Sequence, residues 1–256
     1  MNSAKRFDMV RTVFSVLIAL AISFVIIFMV SDQPLEAIKY LLIGPFTNKR
    51  SMGNVVESMI PLIFTGTGVC IMFSANQINL AGEGAFHIGG LIASCVAIKL
   101  TATFVSPFMA LLCAGLVGAL FTAIPAIMKI TTTASEMVSS LMINYLALYF
   151  GNYMLNNVIG DPKASAASYK LADAAELPVL IPGTRVHLGF IIAIAVAVLG
   201  YFFLYRTKTG YELRLAGENE EFAKYSGISI VKVIMISQLL GGFVAGLGGG
   251  VEMLSP

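Results

Sequence analysis

Residues 78–90 read INLAGEGAFHIGG. Here a carboxylate, Glu83, stands between Gly82 and Gly84, with Asn76, Gln77 and Asn79 before it and Gly89–Gly90 after it. In a water-soluble chain this would be an ordinary turn. The rest of the sequence argues for another setting. Of its 256 residues 57% are hydrophobic and 12% are charged, and the mean hydropathy is +0.86. Soluble domains carry about 25% charged residues, so the chain belongs with integral membrane proteins. The stretch therefore decides whether the fold is a simple stack of spans or one with interrupted helices.

A helix of about 20 apolar residues crosses the hydrocarbon core. Working outward from 78–90, the chain offers seven such segments. They are Thr12–Val30, Ser58–Ser74, a short run Ala85–Ile98, a run within Leu100–Met128, Met137–Ile159, Leu188–Tyr205 and Val233–Val251. Thr12–Val30 follows Lys5, Arg6 and Arg11 and exceeds the ~7–15 residues of a signal-peptide core, so it is read as a retained span. One membrane domain over 1–256 accounts for the whole sequence. With the N-terminus inside, nine lysines and arginines fall on the inner side and seven on the outer, the richest inner block being 206–232. Loop 157–187 is then external and loop 206–232 cytoplasmic.

Carboxylates at membrane depth are costly and normally face protein or water. Glu57 and Glu136 are placed where spans begin and Glu252 at a terminus, so each has an interfacial reading. Glu83 differs through its neighbours. Glycines permit backbone that other residues resist, non-helical backbone at this depth must be buried in protein or line a cavity, and the following apolar run has only 14 residues. Two readings stand: an interrupted or re-entrant helix beside a solute pathway, and a plain cytoplasmic turn. A second polar insertion, ITTTASEMVSSLMINYLALYFGNY (residues 130–153), places Asn144 and Tyr145 inside a span. Asn144 suits helix-to-helix hydrogen bonding or a polar solute. The two histidines, His87 and His187, lie far apart and form no metal-ligand set, and the three cysteines sit in apolar runs without ligand spacing.

The cytoplasmic loop holds TGYELRLAGENEEFAKYSGISIVK (residues 209–232). Asn219 is a good N-cap, Glu220 and Glu221 suit a first turn, and Glu220 and Lys224 stand four apart in the favourable order. Gly227 is placed as a stop. A short helix carrying Phe222, Ala223 and Tyr225 is read either as a docking element or as a loop packing on its own domain.

At these residues a resemblance enters. EFAKYSG (221–227) resembles the Glu-Ala-Ala…Gly loop by which importer permeases of the ABC class contact their ATPase subunits, with Phe222 in place of the usual alanine. INLAGEG looks like the corresponding segment of the branched-chain amino acid, ribose and nucleoside permease family. VESMIPLIFTGTGV, SEMVSSLMINYLALYFGNY and LPVLIPGTRVHLGF followed by RTKTGYELRLAGENEEFAKYSGI are similar to its nucleoside (basic membrane protein) branch. The resemblance covers most of residues 52–250. It implies an all-α polytopic bundle with broken helices in the cytoplasmic (inner) membrane. It also implies a second related permease subunit, separate ATP-binding cassette subunits that use ATP and Mg, and a solute-binding lipoprotein outside the membrane. Carried onto matching positions, Asn79, Gly82, Glu83 and Gly84 form the broken segment by the pathway. Asn219, Glu220, Glu221, Phe222, Ala223 and Gly227 form the coupling helix. Family members continue through further spans, so the bundle is expected to be C-terminally incomplete at Pro256.

The chain carries no G-x-x-x-x-G-K-[ST], so ATP hydrolysis is expected on a partner and no enzymatic chemistry or bound cofactor on this chain. Few and scattered basic residues with a net charge of +2 give no nucleic-acid signature. A gradient-driven transporter shares the intramembrane carboxylates and broken helices. Within the family, ribose and branched-chain amino acids stand beside nucleosides as solutes.

Overall fold

The computed structural model describes residues 3–99, 106–132, 134–160 and 175–255. Among the described residues there are ten helices and one isolated antiparallel bridge, Val179–His187. The chain divides into two units, residues 1–55 and 56–256.

The first unit holds α1 (Ser3–Val30), α2 (Pro34–Thr47) and the start of α3 (Lys49–Ser74). No residue from Arg11 to Val30 is buried within the chain, nor is any in α2. For the uncharged residues 12–30 of α1, that exposure fits a helix whose solvent is lipid. The sequence reading did not identify α2, because 14 residues with an internal Pro45 fall short of a spanning run. It also began the second span at Ser58, whereas α3 starts at Lys49. Glu57 consequently lies more than two turns inside a helix and not at its entrance.

The second unit contains most of α3, then α4 (Gly82–Lys99), α5 (Ser106–Thr132), α6 (Glu136–Asn157), α7 (Gly189–Arg206), α8 (Lys208–Glu218), α9 (Glu220–Tyr225) and α10 (Ile230–Met253). Five of the ten helices (α1 from Arg11, α3, α5, α7 and α10) are long and apolar enough to cross a membrane. The helices at the expected third and fifth spans, α4 and α6, carry more polar residues and fall outside that group. At 1.5 Å per residue, the 18 residues of α4 reach about 27 Å, just under a ~30 Å hydrocarbon core. Residues 161–174 of the external loop expected at 157–187 lie outside the described residues.

Helix α10 is the axis of the second unit. Its buried face includes Gly241, Gly242, Gly246, Gly248, Gly249 and Gly250. These sit against glycines of the neighbouring helices: Gly68 of α3, Gly89 of α4 and Gly118 of α5. A methyl group on Gly68 would lie 2.6 Å from the Gly241 carbonyl oxygen. In lipid there is little hydrophobic drive between helices, so small residues that let backbones touch supply the packing. Leu or Val at these positions would separate α10 from α4 and α5. That seam keeps the ends of α3, α4, α5, α6 and α10 close enough for the polar contacts described next.

Candidate functional site

The interruption expected over Asn79 and Gly82–Gly84 runs over residues 75–81 between α3 and α4, and so contains Asn79. Gly82, Glu83 and Gly84 form the first turn of α4. The turn is made at Asn76, whose φ of 54° is the one positive value among described non-glycine residues. Asparagine tolerates that region because its short amide can bond locally. The Asn79 Oδ1 then accepts from the Ala81 N–H at 2.7 Å, which turns the chain into α4.

Most of the remaining polar groups of this segment are satisfied from far away in the sequence. Asn79 Nδ2 donates to Gln238 Oε1 at 2.6 Å, and Gln238 Nε2 donates to Glu136 Oε1 at 2.7 Å. Lys129 Nζ donates to Glu136 Oε2 at 2.9 Å and also to Gln77 Oε1. Thr122 Oγ1 donates to the Gln238 carbonyl at 2.7 Å. Further along, the Leu80 N–H donates to Ser140 Oγ at 3.1 Å. Asn144 grips the segment twice: its Nδ2 donates to the Leu80 carbonyl at 2.6 Å, and its Oδ1 accepts from the Gly84 N–H at 2.9 Å. Buried polar groups normally find such partners, since an unpaired one costs about 1–3 kcal/mol.

Glu136, read as interfacial, gains protein partners through this network. It opens α6 as expected, yet is only 7% exposed, with both carboxylate oxygens engaged. Lys129, which entered the sequence reading only as a charge on the inner side, is its ion partner. Gln77, Gln238 and Lys129 had no assigned role. The signal available in the sequence was an acid and a base seven residues apart across a helix break, with glutamines in otherwise apolar surroundings.

Asn79, Gly82 and Glu83 line a cavity of about 380 Å³ together with Pro61, Thr65 and Phe86. That volume lies in the roughly 300–1,000 Å³ range of small-ligand sites. Glu83 is exposed at the cavity, while Gly84 is buried behind it. A methyl group on Gly84 would lie 2.6 Å from both Asn144 Oδ1 and the Phe121 ring, so glycine is what lets Asn144 reach this backbone. Asn144 acts here as a bond between helix and break. Tyr145 is 62% exposed and takes no part in these contacts, so the structure does not bring it to Asn79 and Glu83.

The short helix expected between an Asn219 cap and a Gly227 stop is α9, and a further helix that the sequence reading did not identify, α8, precedes it. Thr207 caps α8, its Oγ1 accepting from the Gly210 N–H at 3.0 Å. Arg214 ties α8 back to α7, donating to the Leu204 carbonyl at 3.1 Å and lying 4.7 Å from the Tyr205 ring centre. Asn219 ends α8 and starts α9, and its Oδ1 accepts from the Phe222 N–H at 3.0 Å. Lys224 pairs with Glu220 at 2.8 Å and Glu221 at 3.2 Å. Its hydrogen bond to Glu220, then that to Glu221, holds its ammonium above the ordinary lysine range. At the far end, Ile228 N–H bonds the Ala223 carbonyl and Gly227 N–H the Lys224 carbonyl, with Gly227 at φ 80°. This is a Schellman stop. Ala223 is fully buried, and Phe222 and Tyr225 are 55% and 89% exposed. Six residues are thus fixed at both ends and present two aromatic rings outward.

Residues 51–256 match the family described as branched-chain amino acid transport system, permease component. The chain is 31% identical over 82% of its length to the guanosine ABC transporter permease NupP of Bacillus subtilis. It is 26% identical over 86% of its length to the nucleoside ABC transporter permease NupB of Lactococcus lactis, and 30% identical over 94% to the glucose ABC transporter permease TsgB13 of Haloferax volcanii. It spans 62%, 63% and 67% of those three relatives, respectively. No solved structure matches the chain. The ordered polar break, the glycine-packed helices and the match over residues 51–256 agree, and the chain belongs to the branched-chain amino acid transport system permease family.

Proposed function

We propose that this chain lines the solute pathway of an ATP-driven importer for nucleosides, with α9 receiving motion from a separate ATPase subunit. The observation that carries the reading is α9 itself. A helix this short has no stability of its own, yet caps, a Schellman stop and the buried Ala223 fix it while Phe222 and Tyr225 stay uncovered. Exposed aromatic residues on a rigid frame suit a partner's groove. In this reading the 206–232 loop is cytoplasmic. ATP and Mg are used by the partner, a related permease completes the pathway, and a binding lipoprotein delivers solute from outside. The cavity at Asn79, Gly82 and Glu83 is one wall of the path, with Glu83 and Phe86 offering a hydrogen-bond acceptor and a ring face to a nucleoside.

The similarity to guanosine and nucleoside permeases supports the solute. The similarity to a glucose permease favours a sugar as the second reading. Uptake of labelled uridine and guanosine by cells carrying the intact transport cassette, against cells lacking this gene, decides between them. Gene-dependent uptake that excess nucleoside blocks, and ribose, glucose or leucine does not, is the expected result. Block by a sugar or by leucine moves the solute within the family. Absence of gene-dependent uptake overturns the nucleoside assignment.

A further inference from the structure

Glu136, Ser140 and Asn144 stand at four-residue intervals along α6, hence on one face of that helix. All three serve the same segment. Glu136 reaches Gln77 through Lys129 and Asn79 through Gln238, Ser140 accepts from the Leu80 N–H, and Asn144 holds Leu80 and Gly84. The break between α3 and α4 is therefore fastened along its length to one stripe of α6, with Gln238 fastening the same stripe to α10. On its other side the break touches α8. Gly217 packs against the Ser74 carbonyl, and a methyl group there would lie 3.2 Å from the Asn76 nitrogen. Asn76 is the residue at which the chain turns. The path from α9 through α8 to Ser74 and Asn76, and on to Gln77 and Asn79 at the cavity, is continuous in contact.

A buried ion pair is poor evidence of stabilisation, because apolar residues of similar shape often do as well. Its value lies in direction: two charges and two amides accept only a few mutual arrangements, and Glu136 uses both oxygens to enforce one. Building on the permease reading, we propose that Lys129, Glu136 and Gln238 are positioning residues that couple displacement of α8 and α9 to the orientation of Asn79 at the cavity. When α8 moves, Ser74 and Asn76 move with it, and the α6 stripe resists until the set shifts as a unit. Packed polar elements of this kind switch between discrete arrangements and do not deform smoothly.

The test uses the intact cassette reconstituted in liposomes, reading solute taken up per ATP hydrolysed at matched amounts of assembled complex. Lys129→Met and Glu136→Gln lower that ratio by about ten-fold while ATP hydrolysis continues. Lys129→Arg, which keeps the charge and the donors, restores most of it. The double variant Lys129→Met/Glu136→Leu removes the burden of an unpaired buried charge, so it assembles well and stays uncoupled. Gly217→Ala, at the other end of the path, lowers the ratio without touching either charge. A double variant with wild-type uptake per ATP overturns the proposal and leaves the pair a purely structural element. The same holds if Lys129→Arg fails to rescue a ratio that the double variant restores. Failure of the permease reading is separate and shows in the wild type alone, as uptake that does not depend on the ATPase subunits.

Discussion

Helix α9 and the break at 75–81 are both short, polar and interrupted, yet they are held in opposite ways. Every bond that fixes α9 comes from within a few residues: Asn219 to Phe222, Glu220 and Glu221 to Lys224, Ala223 to Ile228. The break has local bonds such as Asn79 to Ala81, but it is also held by partners 43 to 159 positions away. The first is a self-contained part that leaves Phe222 and Tyr225 exposed. The second is tied by side-chain hydrogen bonds to α5, α6 and α10.

The contrast is sharpest under substitution. Glu136→Ala leaves Lys129 and Gln238 facing an empty place and should cost about 3–5 kcal/mol, read as an early unfolding transition in detergent. Next comes Gly84→Val, which sets side-chain atoms against Asn144 and Phe121 and should cost about 1–3 kcal/mol by the same measurement. Asn219→Ala removes one cap from α9, costs about 1 kcal/mol, and should leave the midpoint almost unmoved, because α9 melts locally. Phe222→Ala should not change unfolding at all, yet should weaken retention of the ATPase subunit on co-purification. A large stability loss from Asn219→Ala, or none from Glu136→Ala, would break the distinction between the two regions.

The same difference explains what the sequence shows on its own. The caps of α9, its Glu220–Lys224 pair and its Gly227 stop are written in consecutive residues and were legible. So were the apolar runs, because span length is a local property. What was not read is α8, whose start depends on the Thr207 cap. The break was located a few residues late because glycine in a polar stretch marks permissive backbone without saying whether a helix starts there. Once Asn79 turns the chain, Gly82–Gly84 are free to be helical. The roles of Lys129, Glu136, Gln77 and Gln238 depend on which helix ends meet, and the glycine seam of α10 sets that. Neither spacing nor composition encodes such a meeting in one sequence. The four-residue interval of Glu136, Ser140 and Asn144 stands in the sequence, but it does not say what lies against that face.

The most direct test of the account is guanosine transport by the assembled complex in liposomes, with and without its ATPase subunits, for wild type and Phe222→Ala. The account predicts uptake that requires ATP hydrolysis and falls sharply in Phe222→Ala although the permease remains folded in the membrane. Uptake that persists without the ATPase subunits, driven by an ion gradient and indifferent to Phe222, would contradict it.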